Sequence, residues 1–326
     1  MKTRSRLLLA LPSLASLALL VACGGGNDNL PPPPPPPPPP PVPVATATTP
    51  PPVEDASAPV AAPSGPAPTL VPGTASPDPT GALPTAKFAA PKSGEVIPSD
   101  KVADYSIKLD VKNWQTATGS SHVHLILDNK PYKAIYDPKQ PVKMSDLTGG
   151  GALEEGQHVL VAFPSRANHE SVKTKDAMSV LEFYVGKKGE AKTNLKKPMF
   201  IYSRPKGDYK GDMARHVLID FQLANDTLGD GKDHVNIAVT GPGIDASLTA
   251  KADKVGTPFY LDNLQNGTYT LKLDLMDKDD KPVAGPWNST TRTIKIDKDA
   301  PADPMPGMNM TPDAGTDVAK PPAPKK

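Results

Sequence analysis

The sequence predicts an all-β protein: two tandem β-sandwiches carried behind a disordered proline-rich tether. Three observations lead there. Eight segments alternate apolar and polar residues at the two-residue period of a strand, and no segment carries a convincing helical period. The pattern repeats along the chain: "KLDVKN" (108–113) and "SHVHLILDN" (121–129) lie over "DFQLAN" (220–225) and "DHVNIAVTG" (233–241) at an offset of 112. Finally, the 43 prolines crowd into the ends and thin out over 87–297.

Taken in order, residues 23–86 read as the tether. "GGGNDNL" is flexible, and the unbroken run Pro31–Pro41 must adopt stiff polyproline II. The remainder, rich in Pro, Ala and Thr, cannot bury a core. At ~3.1 Å per residue such a segment reaches roughly 150–200 Å when extended. Residues 87–187 form the first sandwich, with strands "YSIKLDV" (105–111), "HVHLILD" (122–128), "HVLVAF" (158–163) and "VLEFYV" (180–185). After a linker at 188–196, residues 197–297 form the second, with "HVLIDFQL" (216–223), "HVNIAVT" (234–240), "TYTLKLDLM" (268–276) and "TRTIKI" (291–296). Turn signals such as "LDNKP", "TGGG", "DGKD" and "DKDDKP" separate the strands. Each copy has the size of one immunoglobulin-like sandwich of about 100 residues. Residues 298–326 are a disordered Pro/Met/Lys tail.

Charge narrows the partners. The chain carries 36 basic and 35 acidic residues, so no broad field is available to hold nucleic acid. Cys23 is the single cysteine, which rules out an intrachain disulfide and leaves the sandwiches without a thiolate ligand or nucleophile. Its surroundings explain it. "MKTRSR" is basic, "LLLALPSLASLALL" is apolar and interrupted by Pro12, and "LVACGGG" follows. Leu-x-Ala-Cys at that place resembles the lipobox of bacterial lipoproteins. The resemblance implies a signal peptide over 1–22, lipidation of Cys23 and cleavage before it. Gly24, standing where an inner-membrane retention signal would have Asp, implies the outer membrane, facing periplasm or cell surface. No later stretch approaches ~20 apolar residues, so the lipid is the expected membrane contact.

The openings "KFAAPKSGEV" and "MFIYSRPKGDY", with the Gly-x-Tyr-x-Leu of "NGTYTLKL", are similar to bacterial immunoglobulin-like domains. Copy one also resembles a group of uncharacterised bacterial surface lipoproteins that carry similar "HVHLILDN" and "FPSR..HES" segments. That resemblance covers mostly residues 88–185, and it implies an extracytoplasmic sandwich without an established activity. Copy two lacks "FPSR..HES".

Candidate site residues are few. His122 and His124 are two apart in a strand, so they share a face, opposite Val123, Leu125 and Leu127. His122 recurs as His234 while His124 becomes Asn236, which favours a structural or solvated role. A metal site would need further ligands, and His169 with Glu170, in a loop able to fold over the sheet, are the candidates. His158 aligns with Tyr269 of copy two, a core-facing slot, and reads as a packed polar residue making one buried bond. In the tail, Met305, Met308 and Met310 have no core to fill; spaced thioethers suit Cu(I), and "MPGMNM" resembles Met-rich segments of periplasmic copper-handling proteins. The acidic runs "DTLGDGKD" and "DLMDKDDKP" lack the spacing of a calcium loop and read as turns. Trp114, Trp287, Tyr132 and Tyr136 are the aromatics a sugar-stacking surface would draw on. There is no GxSxG, no HExxH and no phosphate-cradling glycine loop.

The expected function is therefore non-catalytic: a lipid-anchored cell-envelope protein displaying two sandwiches for binding or structural spacing, without a cofactor. Its partners are the membrane, through the lipid on Cys23, and a protein or glycan, but not nucleic acid. The first alternative is a periplasmic copper-binding protein using the Met-rich tail and the His pair. The second is an enzyme with a site assembled between the domains.

Overall fold

A computed structural model describes residues 65–301. Cys23, most of the tether and the three tail methionines lie outside the described residues. The first half contains β1 (Thr69–Pro72), β2 (Thr85–Ala90), β3 (Glu95–Ile97), β4 (Ser106–Lys112), β5 (His122–Leu127), β6 (Lys133–Ile135), β7 (Val142–Lys143), β8 (Gly156–Ser165) and β9 (Ser179–Val185). The second contains β10 (Met199–Arg204), β11 (Gly207–Lys210), β12 (His216–Ala224), β13 (His234–Thr240), β14 (Leu248–Ala252), β15 (Phe259–Asp262), β16 (Gly267–Met276) and β17 (Ser289–Asp297). One helical turn, Ser145–Thr148, and one 3₁₀ turn, Gly211–Ala214, complete the described elements.

The strands form four sheets, two to a sandwich. In the first sandwich β2-β4-β7 faces β3-β9-β8-β5-β6; in the second, β1-β15-β12-β10 faces β11-β17-β16-β13-β14. The order is the same in both copies once β1 is set aside, down to a parallel pairing of β3 with β9 and of β11 with β17. The long strands fall where the alternation placed them. The elements that sequence reading passed over are short or lie at sheet edges, where two to six residues carry too little period to recognise.

Two corrections follow. The tether does not run free to residue 86. Thr69–Pro72 pairs antiparallel with β15 of the second sandwich, from Thr69 opposite Asp262 to Pro72 opposite Phe259. Proline is tolerated there because β1 is an edge strand, with only one side engaged in the ladder. The linker is also pinned. Gln157 donates from Nε2 to Thr193 O at 2.9 Å and accepts the Thr193 amide at Oε1 at 2.7 Å.

Each sandwich has its own core. Val123, Leu125, Leu127, Leu160 and Phe183 build the first; Phe200, Tyr202, Leu271 and Leu273 contribute to the second. A third apolar cluster joins them. Ile126, Tyr132, Val159, Val161 and Phe163 from the first sandwich meet Met199, Ile201 and Trp287 from the second. Period two explains it: β5, β8 and β10 each send alternate residues into their own core and the rest into this seam. The face read as structural or solvated is therefore dry, and β5 is buried along its whole length. Tyr132 and Trp287, considered above for sugar stacking, are buried in the seam.

Polar groups lock the seam. The "LDNK" turn adopts positive φ at Asp128 and Asn129, the geometry Asp and Asn tolerate best. Asn129 accepts the Tyr202 amide at 2.8 Å and donates to Thr290 Oγ1 at 3.0 Å, and its carbonyl accepts from Arg292 at 3.0 Å. Asp220, nearly inaccessible, takes Ser171 Oγ and Lys173 Nζ at 2.6 Å each. Lys173 Nζ also donates to Ser171 Oγ, so Ser171, Lys173 and Asp220 close into one clasp.

His158 sits at the edge of the first core, stacked on Phe183. It makes two bonds where one was expected, from Nδ1 to Asp128 Oδ2 at 2.7 Å and from Nε2 to Glu154 O at 2.8 Å. Burial pushes its pKa down, but the two acceptors outweigh burial and hold it above the ordinary histidine value. Two outcomes are expected. Asp220→Ala leaves Lys173 without its buried partner and should cost about 3 kcal/mol in denaturant unfolding; Lys143→Ala, which breaks the exposed pair with Asp104, should leave stability unchanged. The contribution of His158 should be fully present below its unfolded pKa of about 6.5 and lost as pH rises through its higher folded value. Comparing the wild type with His158→Asn across pH 5–9 checks the sign: the gap should close with rising pH.

Candidate metal centre

The site begins with β5. His122 and His124 project from its seam face, and both side chains are inaccessible to solvent. His169 arrives from the hairpin loop 166–170 between β8 and Ser171. That loop is closed by Arg166 N to Glu170 O at 2.9 Å, by His169 N to Arg166 O at 2.9 Å, and by a bridge between Ser165 and Ser171. His169 takes a φ of 67°. The left-handed backbone turns its ring back over the sheet.

Three imidazole nitrogens converge. His124 Nε2 lies 3.0 Å from His122 Nε2, and His169 Nδ1 lies 3.1 Å from the same atom. All three ligand atoms fall within 4.8 Å of one another. The tautomer of His122 is fixed: Nδ1 faces the Ser120 carbonyl at 2.8 Å and must donate, which leaves the Nε2 lone pair pointing at its two neighbours. That single lone pair cannot serve two donors well. Nitrogens bound to one ion at ~2.0–2.1 Å and separated by tetrahedral or right angles stand roughly 2.9–3.4 Å apart. The two short separations match that spacing; the third pair, within 4.8 Å, must close to roughly 4.2 Å or less for one cation to take all three lone pairs. The buried Nε2 of His169 has no hydrogen-bond partner.

Outer groups fix the rings. Ser203 Oγ, from β10 of the second sandwich, meets His124 Nδ1 at 3.1 Å. Tyr132 stacks on His124 with centroids 3.5 Å apart, and its hydroxyl stands 3.3 Å from His169 Nδ1. Phe163 and Tyr136 wall the rings of His124 and His122. Such partners orient ligands and set their basicity.

The electrostatics keep the imidazoles neutral. Burial lowers the pKa of His122, drives that of His124 well below the ordinary value, and takes His169 to about 2, with the nearby Arg204 and Lys206 adding to the effect. Lys206 donates to Tyr132 O at 2.9 Å and lies 4.1 Å from the centre of that ring. Its own pKa is lowered to about 8 by burial and by Arg204 and Arg292. Among the described residues, no carboxylate is a hydrogen-bond partner of the three histidines. Glu170, proposed alongside His169, points elsewhere, its carboxylate taken by Ser76.

The sequence thus supplied all three histidines but neither their surroundings nor the second sandwich's part. Ser203, Arg204 and Lys206 belong to a copy with no visible site, and only the fold brings them to β5. One signal was present for Tyr132: it lies just after the tight turn that reverses β5, one residue before the Lys133 that pairs with Leu125, and so on the same sheet face as His124. His234, the counterpart of His122, stands on β13 of the second sandwich, outside the cluster, and meets Asp280 at 2.9 Å.

Among solved structures, the chain is similar to the fibronectin(III)-like modules of Clostridium thermocellum CbhA, with 14% identity, 65% of this chain and 94% of that chain covered, and a TM-score of 0.23. It is also similar to the FN1–FN3 domains of chicken CNTN1 at 10% identity, with 68% of this chain and 69% of that chain covered and a TM-score of 0.22. Domains 4 and 5 of the S-layer protein SbsC match at 9% identity, over 66% of this chain and 98% of that chain, with a TM-score of 0.18. No protein-family model and no curated protein matches the chain. The assignment of immunoglobulin-like sandwiches therefore rests on strand order and pairing.

Proposed function

We propose that this chain is a lipid-anchored cell-envelope protein that binds a transition-metal ion, copper before zinc, at His122, His124 and His169. The convergence of three buried, neutral imidazole nitrogens carries the reading. Imidazole suits copper, zinc, iron and nickel alike, so charge must discriminate. The donors are neutral, their hydrogen-bond partners include no carboxylate, and Arg204 and Lys206 stand close. A singly charged ion meets less repulsion there than a doubly charged one. This favours Cu(I), which the thioethers of Met305, Met308 and Met310 would also suit. The lipobox at Cys23 supports an oxidising envelope compartment and a membrane anchor.

Metal binding to the purified mature chain tests the proposal. Under reducing conditions, competition with a chromophoric chelator should show one Cu(I) per chain, held more tightly than Zn(II). His124→Ala and His169→Gln should each weaken it at least tenfold, while truncation before Met305 should leave it in place. Copper lost only with the tail would move the chemistry to "MPGMNM". A chain that binds no metal would return the protein to display or spacing. Separately, Cys23→Ser should move the protein from the membrane to the soluble fraction, and unaltered membrane attachment and processing would sink the lipid anchor.

A further inference from the structure

The chain that leads into the sandwiches reaches the metal centre by an indirect route. β1 lies along the edge of the second sandwich, and only Leu70 of its four residues packs on a core. Gly73 donates to Pro258 O at 2.8 Å and hugs Tyr260 so closely that a Cβ there would run into the ring. The chain then crosses to the first sandwich. The Ser76 amide donates to Glu170 Oε1 at 2.9 Å, and the Ser76 hydroxyl donates to the other carboxylate oxygen. Arg166 donates to Pro77 O at 2.7 Å. Arg166 and Glu170 are the two ends of the loop that carries His169.

We infer that residues 69–77 act as a strap that sets the position of His169, so that metal affinity at the three histidines depends on the docking of the segment leading from Cys23. The inference rests on the metal reading above. Glu170 is only 4% exposed, and its remaining partner is Arg166 at 3.9 Å. A buried carboxylate without hydrogen bonds is costly, so a loop deprived of Ser76 must turn Glu170 toward water. His169, next in the chain and held at a φ that non-glycine residues seldom adopt, turns with it. The strap is the weaker partner in this arrangement. It is a four-residue edge strand, mostly exposed, and such elements open at little cost. A pull or a competing partner on the tether would release β1 first, then Ser76, then the third ligand, leaving His122 and His124 buried and in place.

Ser76→Ala and Gly73→Val in the full mature chain test this without touching an imidazole. Each should weaken Cu(I) by about tenfold, the effect of losing a group that orients a ligand. Hydrogen exchange, read without metal, should rise over residues 166–172 and stay unchanged over β5. If the wild type binds no copper, the metal reading falls and this inference falls with it. If the wild type binds copper and both variants bind it equally, or if exchange over 166–172 does not rise, the strap inference alone is overturned.

Discussion

The candidate centre depends on one contact, the packing of the second sandwich against the outer face of β5. A sheet exposed on one side would place His122 and His124 in water, where imidazoles near 6.5 are solvated, mobile and free to protonate. Met199, Ile201 and Trp287 remove that water. Once the face is dry, desolvation keeps the rings neutral, Ser203 can fix His124, and Tyr132 can stack flat against it. The same burial penalises an unpaired polar group, and Asn129, Arg292 and Asp220 are each hydrogen-bonded around the seam.

How much of this was legible follows from the same contact. The long strands and the duplication were written in period two, and the histidines were singled out by their spacing. Of the structural and solvated alternatives for the β5 outer face, the solvated one fell for an identifiable reason: alternation tells which residues share a face, not what covers it. A hint was present. Ile126 sits on the supposedly polar face, "HVLVAF" is apolar after its histidine and "MFIYSR" opens with four apolar or aromatic residues in a row, the composition of strands buried on both sides. Three such strands in one chain imply that two sheets cover each other. Short edge strands, the docking of Thr69–Pro72 and the cationic neighbours depend on contacts distant in sequence, so no local pattern announces them.

The duplication explains why the described residues hold one candidate centre and not two. β13 matches β5 in place and in strand order, and His234 stands where His122 does. Its outer face is less covered among the described residues: His234 is buried, but Asn236 and Ala238 stay half-buried. His234 turns to Asp280, a carboxylate with ready access to water. The second copy also lacks the "FPSR..HES" segment, so no loop brings a third imidazole, and a strap corresponding to Ser76 would have nothing to hold. Identical topology in the two halves therefore yields different chemistry. The fold supplies a strand with two residues on one face; a site arises only where a second body excludes water from that face and a fixed loop closes over it. In this chain the covering body comes from the duplicate itself, so the second sandwich need carry no ligand in order to be part of the centre.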